Sequence, residues 1–126
     1  VPPSLWSDRG DMPHIDLVRW CQAVVLAPAT ADCMARVALG LADDLVTTLL
    51  LAVEPDRPLW FAPAMNSVMW QKPIVQQHRQ SLTDAGWRQI GPASGELACG
   101  ESGIGAMSDP AEIAAAVFDA DDRPAC

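Results

Sequence analysis

Three side chains have the chemistry to bind an anion or move a proton, and each sits in unusual company. Asn66 stands in the stretch PAMNSVMW (63–70), among two methionines, a tryptophan and a proline, directly after the apolar run PLWFA. Its amide offers two donors on nitrogen and an acceptor on oxygen. His14 opens HIDLVRWCQ and is the only group on that early segment whose ordinary pKa suits proton transfer near neutrality. Cys99 lies in LACGESGIGAM, between small residues and glycines, where a loop can deliver a thiol into a cleft.

Plainer readings stand beside each of these. Asparagine is among the best N-caps and NSVMW begins a helix, so capping alone explains Asn66 locally, and binding does not exclude capping. A lone histidine after Pro13 is most often a surface or capping residue, and Cys99 serves equally well as a small hydrophobe under a turn. Met65, Met69 and Trp70 suit core or interface packing, since methionine fills irregular gaps. His78, on the polar face QQHRQ, is solvated and carries no role. GESGIG has the look of a phosphate loop, but no Lys-Ser/Thr follows and the next helix starts only at Asp109–Pro110, which makes it a weak signal.

The elements that must position these groups follow from apolar patterning. HIDLVRWCQ has apolar residues at three- and four-residue spacings and reads as a short amphipathic helix. AVVLAPA (23–29) is a short apolar run closed by proline, the pattern of a strand buried on both faces. Residues 30–53 read as two helices, with Thr30 and Asp32 as capping candidates, a break at Gly40, and Asp43 and Asp44 opening the second. PLWFAPA (58–64) repeats the strand pattern, and the helix after it is interrupted near Pro73 and stopped by Gly86. WRQIGP is a third short strand, residues 93–108 are a loop holding four of the eight glycines, and a last helix begins with Asp109 as N-cap and Pro110 at N1. The tail from 119 is polar and frays. Strands separated by helices pair in parallel through crossovers, giving a three-layer α/β sandwich with its site outside the carboxyl ends of the strands. Thr30, Asn66 and the glycine loop all follow strand ends, so they share one rim.

Composition limits the functions this sandwich can serve. The 126 residues are 50% hydrophobic and 19% charged, which suits one domain covering 1–126. Sixteen acidic against eight basic residues give a formal charge of −8, which disfavours nucleic acid and anionic membrane surfaces as partners. The longest apolar run falls well short of the ~20 residues that span a bilayer. Four cysteines without CxxC pairing, and no histidine at ligand spacing from them, point to a reduced, cytoplasmic protein with no metal. Three strands make a small sheet and the chain opens with neither methionine nor strand, so an N-terminal portion is expected to be missing or carried by a separate polypeptide.

HIDL, APATAD, GLADDLVTTLLLA, PAMNSVMW and LACGESGIGAMSDP occur in the order, and at about the spacing, of the homo-oligomeric flavin-containing cysteine decarboxylases. The chain resembles that family from about His14 to Val117, most closely its members that act on phosphopantothenoylcysteine. The resemblance implies a flavodoxin-like (Rossmann-type) sandwich, FMN as cofactor, and active sites between the subunits of a homotrimer or a dodecamer. It places the family's catalytic histidine on His14, its carboxylate-binding asparagine on Asn66 and its proton-donating cysteine on Cys99. Flavin contacts fall on Thr30, Ala31, Asp32, Cys33 and Ala64, and substrate contacts on Met65, Asn66, Met69, Ala98 and Cys99. The chain departs from the family at Asp32, where asparagine is usual, and at Ala106, where many bacterial members have arginine. The family's opening glycine-rich phosphate-binding unit has no counterpart in these residues, and neither does the synthetase domain fused behind many bacterial members.

The implied chemistry is physically coherent. The carbanion left by simple decarboxylation of cysteine has nowhere to delocalise. Hydride removal from the sulfur-bearing carbon creates a thioaldehyde, an electron sink beta to the carboxylate, and carbon dioxide then leaves to give an enethiolate. Asn66 would hold the carboxylate, His14 would handle the thiol proton, and Cys99 would protonate the enethiolate as the hydride returns. The leading expectation is decarboxylation of 4'-phospho-N-pantothenoylcysteine to 4'-phosphopantetheine in coenzyme A biosynthesis. Its rivals are a peptidyl-cysteine decarboxylase that leaves a C-terminal enethiol on a ribosomal peptide, and a non-catalytic regulatory subunit. A flavoprotein prenyltransferase ranks below these.

Overall fold

The computed structural model describes residues 20–96 and 102–121. Ten elements follow one another: β1 (Val24–Ala29), α1 (Ala31–Ala38), α2 (Leu45–Ala52), β2 (Leu59–Pro63), α3 (Ser67–Gln71), α4 (Pro73–Asp84), β3 (Arg88–Gln89), β4 (Ala93–Glu96), β5 (Ser102–Ala106) and α5 (Pro110–Asp121). The helix expected over HIDLVRWCQ falls outside the described residues except at its end, where Trp20 is helical. His14, Ala98 and Cys99 also lie outside them.

β1, β2 and β3 form a parallel sheet in that order, so the two apolar runs pair as neighbours. Val24, Val25 and Leu26 sit opposite Leu59, Trp60 and Phe61, and the register shifts before Ala29 meets Pro63. The shift falls around Pro28, which has no N–H to give the ladder. The core lies between the sheet and the helices α1, α2 and α4, where Ala29, Met34, Leu50, Phe61, Leu82 and Trp87 form one buried cluster. Phe61 and Trp87 meet edge to face, with ring centroids 6.4 Å apart at 76°. On the opposite face, Val25 and Ala27 border a groove of about 370 Å3 whose other wall is α5, with Ile113, Val117 and Phe118. Helices therefore flank the sheet on both sides, as expected for a sandwich.

Two expectations need correction. Among the described residues β1 is not buried on both faces: Val25 is 39% exposed and Ala27 is exposed, because α5 covers that side and leaves a groove. Residues 93–108 are not simply a loop, since β4 and β5 pair antiparallel with Ser94 opposite Ile104 and Glu96 opposite Ser102. Small residues and glycines hide a strand from any reading based on apolar alternation.

The helix ends agree with the local signals. α1 stops in a Schellman motif, with Gly40 at φ 72°, its N–H donating to the Val37 carbonyl and the Leu41 N–H to the Arg36 carbonyl. α4 ends in the same way at Gly86, φ 101°, where the Trp87 N–H donates to the Leu82 carbonyl. Lys72 breaks the helical run between α3 and α4, and Pro73 takes the first position of α4.

Candidate active site

Two strands run directly into capped helices at the same edge of the sheet. At the end of β1, Thr30 takes an extended conformation and its hydroxyl accepts the Cys33 N–H at 3.2 Å, capping α1. The cap takes the Cys33 N–H and the Thr30 carbonyl accepts the Met34 N–H, which leaves the first two N–H groups of α1 unused. Among the described residues the Ala31 and Asp32 N–H groups have no hydrogen-bond partner, so they point two donors out of the rim.

At the end of β2, Asn66 is likewise extended and caps α3. Its Oδ1 accepts the Met69 N–H at 2.9 Å, and its carbonyl accepts the Trp70 N–H. An N–H can be received only by the amide oxygen, so this bond fixes which way the amide faces. Nδ2 is left facing away from the helix, and among the described residues it has no partner. The side chain is half-buried. Capping and anion binding are therefore not alternatives here: the cap consumes the acceptor and presents the donor.

The backbone ties these ends together. The Ala64 N–H donates to the Ala29 carbonyl at 3.1 Å, joining the β2 exit to the β1 exit. The Met65 N–H donates to the Gly105 carbonyl at 2.8 Å, bringing β5 onto the same loop. Thr30, Ala31, Ala64, Met65 and Asn66 thus share one rim with the β4–β5 hairpin. Ala98 and Cys99 fall by sequence between β4 and β5, in 97–101, outside the described residues. Met65 and Trp70 pack against the core cluster, whereas Met69 is 44% exposed.

Asp32 and Cys33 turn elsewhere, into a groove of about 270 Å3 between α1 and α2 that Arg36, Val46 and Thr47 also line. The Arg36 guanidinium donates to the Asp32 carboxylate at 3.1 Å and to both oxygens of Asp43 at 3.0 and 2.8 Å. Asp43 first, and then Asp32, raise the Arg36 pKa above its ordinary value. The extra acid at the start of α1 is thus paired along the helix rather than left unpaired at its tip. Next to this network, Asp44 caps α2 by accepting the Thr47 N–H at 2.8 Å, while the Thr47 hydroxyl completes a capping box. That backbone bond, with the hydroxyl second, holds the Asp44 carboxyl below its usual range.

The donor set suits a flavin. Two unpaired N–H groups at a helix start match the carbonyl acceptors on the polar edge of an isoalloxazine ring, and the nearby acid is paired with Arg36, which it shares with Asp43. Sequence reasoning missed two contributors to this arrangement, Arg36 and Gly105. The i,i+4 spacing of Asp32 and Arg36 could have revealed the first. The second was signalled only by glycines alternating in GESGIG, since glycine inside a strand often marks close backbone approach.

A protein-family model described as Flavoprotein matches residues 3–120. The chain is 47% identical over 107 residues to the coenzyme A biosynthesis bifunctional protein CoaBC of Vibrio cholerae, covering 85% of this chain and 26% of that protein. It is 41% identical over 111 residues to a phosphopantothenoylcysteine decarboxylase of Arabidopsis thaliana, covering 87% of this chain and 53% of that one. The chain therefore spans between a quarter and about half the length of these relatives. Among solved structures, a PPC decarboxylase cysteine-to-serine mutant complexed with pantothenoylaminoethenethiol matches with a TM-score of 0.88 at 38% identity, over 95% of this chain and 66% of the other. The FMN-binding protein AtHal3 matches at 0.78 and 36%, over 96% and 67%. The FMN-dependent cysteine decarboxylase SpaF matches at 0.68 and 35%, over 86% and 57%.

Proposed function

The chain belongs to the flavoprotein family, and from that premise we propose that it takes part in FMN-dependent decarboxylation of a terminal cysteine carboxylate, with 4'-phospho-N-pantothenoylcysteine as substrate and 4'-phosphopantetheine as product. The observation that carries this reading is the Asn66 amide. Its oxygen is committed to the α3 cap and its nitrogen is free on the rim where the ends of β1, β2 and the hairpin meet.

Bound FMN supplies the two-electron acceptor that turns the sulfur-bearing carbon into an electron sink. The Ala31 and Asp32 N–H groups would hold the cofactor's acceptor edge, with Thr30 and Ala64 beside it and the Cys33 side chain turned into the neighbouring groove. Asn66 Nδ2 donates to the substrate carboxylate and orients it, with Met65 and Met69 as walls. His14 accepts the thiol proton. After carbon dioxide has left, Cys99, beside Ala98, would give a proton to the carbon, and return of the hydride taken at the start, with a proton for sulfur, would complete the saturated thiol. The identity of the PPC decarboxylase complex supports the last step, because that cysteine-to-serine mutant holds the ethenethiol, the decarboxylated species at the oxidised level. Residues 1–126 act as one flavoprotein domain in the cytoplasm, assembled as a homotrimer or dodecamer. Among the described residues no helix is long and apolar enough to cross a membrane.

A second reading rests on the likeness to SpaF. With a peptide ending in cysteine, the reaction would stop at the enethiol and the protonation by Cys99 would go unused. One experiment separates the two: incubate the FMN-loaded protein with phosphopantothenoylcysteine or with a cysteine-terminated peptide and weigh the products. Loss of carbon dioxide alone from the first substrate is expected. Loss of carbon dioxide and two hydrogens from the peptide, with the small molecule untouched, would replace this reading with the second.

A further inference from the structure

Buried Gly105 is the point at which β5 rests on the short loop between β2 and α3. Its φ of 151° is a conformation that strains residues with a side chain. A Cβ placed there would run into the Met65 carbonyl oxygen and lie 3.3 Å from the carbonyl carbons of Met65 and Asn66. The contact is directional as well as close, since the Met65 N–H donates to the Gly105 carbonyl at 2.8 Å. Other bonds hold the loop on either side. Ahead of it, the Ala64 N–H donates to the Ala29 carbonyl; beyond it, the Asn66 carbonyl accepts the Trp70 N–H and Oδ1 accepts the Met69 N–H. The cap fixes the direction of the Asn66 amide relative to α3, but not where α3 and its cap stand relative to the β1 exit. The Met65–Asn66 peptide makes that connection, and Gly105 is its seat.

We propose that Gly105 is a positioning residue: by seating β5 on the Met65–Asn66 peptide, it sets where the Nδ2 donor of Asn66 stands on the rim. The inference rests on the decarboxylase reading above and adds to it a residue with no side chain to offer substrate or cofactor. A methyl group at 105 can be accommodated in two ways, and both release the peptide. If β5 backs away, the 2.8 Å bond to Met65 breaks; if the loop backs away, Asn66 moves with it. The α3 cap survives either shift, because Asn66, Met69 and Trp70 move together. The Ala31 and Asp32 N–H groups belong to the other strand exit and keep their place, so cofactor binding is unaffected. What is lost is the fit of the Asn66 donor to a carboxylate.

The test is Gly105→Ala in the FMN-loaded protein, read with two ligands that differ by the carboxylate: phosphopantothenoylcysteine as substrate, and its decarboxylated product 4'-phosphopantetheine as competitive inhibitor. A misplacement of about 1 Å costs on the order of 100-fold in a positioned step, so kcat/KM for the substrate should fall about 100-fold. The inhibition constant of the product, which has no carboxylate for Asn66 to hold, should stay within about threefold, with FMN content by visible absorbance unchanged. In an Asn66→Leu background, where the donor is already gone, Gly105→Ala should cost less than about threefold more, because residues that act as one unit do not add. Ile104→Ala is the control: it loosens the same strand at a side chain 49% exposed, without touching the contact, and should keep the wild-type kcat/KM. A wild-type kcat/KM in Gly105→Ala overturns the inference. So does an equal weakening of substrate and product, an additive loss in the double variant, or an equal loss in Ile104→Ala. Loss of far-UV circular dichroism or of yellow colour in Gly105→Ala overturns it too, since the glycine would then serve folding alone. A wild-type protein that releases no carbon dioxide removes the decarboxylase reading itself, a result distinct from all of these, which leave wild-type turnover intact.

Discussion

The exits of β1 and β2 solve the same backbone problem with different side chains. Both strands end at the same edge, each following helix is entered through one extended cap residue, and both cap residues accept the N–H three positions ahead, Thr30 from Cys33 and Asn66 from Met69. A threonine hydroxyl that accepts here keeps an O–H donor, but on the capping atom itself and free to rotate, so the cap gives it no fixed direction. An asparagine amide is half spent, and the remaining half is a pair of N–H donors whose direction the cap itself determines. The β1 exit therefore contributes backbone donors to the rim, whereas the β2 exit contributes an oriented side-chain donor. Two residues with the same local geometry can thus differ in function by the atoms their cap leaves over.

Substitutions can break that contrast. The largest effect is expected from Asn66→Leu, which removes both halves of the amide. Turnover should fall about 10²–10³-fold, the usual cost of one oriented donor at a charged group. The lost cap should cost about 1 kcal/mol in addition. A melt followed by circular dichroism and an assay on the same sample separate the two losses. Thr30→Ala removes a cap and an unoriented hydroxyl but leaves the backbone donors of α1, so it should cost a similar ~1 kcal/mol, or about 4–8 °C in Tm, while turnover changes by less than about tenfold. Equal catalytic losses in the two variants would erase the distinction between the exits.

The smallest effect concerns a third cap, away from the rim. The Asp44 carboxyl is held below its usual range by the Thr47 N–H and hydroxyl, so its proton is bound less tightly in the folded chain than in the unfolded one. Its stabilising contribution is complete above the ordinary carboxylate range and is lost as pH falls through the folded value. The difference in Tm between the wild type and Asp44→Ala should therefore shrink on acidification. The difference between the wild type and Thr30→Ala, whose cap does not titrate, should not. A gap for Asp44→Ala that stays constant from neutral pH to strong acid would contradict this.

Much of the frame was legible because it is local. Two apolar runs closed by proline gave β1 and β2, glycines gave the ends of α1 and α4, and Thr30, Asn66, Asp44 and Asp109 all occupy capping positions, the last accepting the Ala111 N–H. The hairpin was not legible, because glycine and serine carry no apolar alternation, and it formed where a loop was expected. The partial exposure of β1 could not be read either, since Val25 and Ala27 look like core residues until, among the described residues, α5 proves to cover them only across a groove. The Gly105–Met65 contact joins residues forty positions apart through backbone atoms and leaves no local pattern at either end. The orientation of the Asn66 amide lay between these extremes, since capping was expected but its consequence for Nδ2 required the bond to Met69.

Asn66→Asp provides the most direct test of that consequence. The carboxylate still accepts the Met69 N–H and so keeps the α3 cap, but it has no donor to offer and places a negative charge opposite the substrate carboxylate. The account predicts an unchanged Tm, an unchanged yellow colour and decarboxylation lost beyond about 10²-fold. Retained turnover at an unchanged Tm would contradict it and leave Asn66 as a helix cap only.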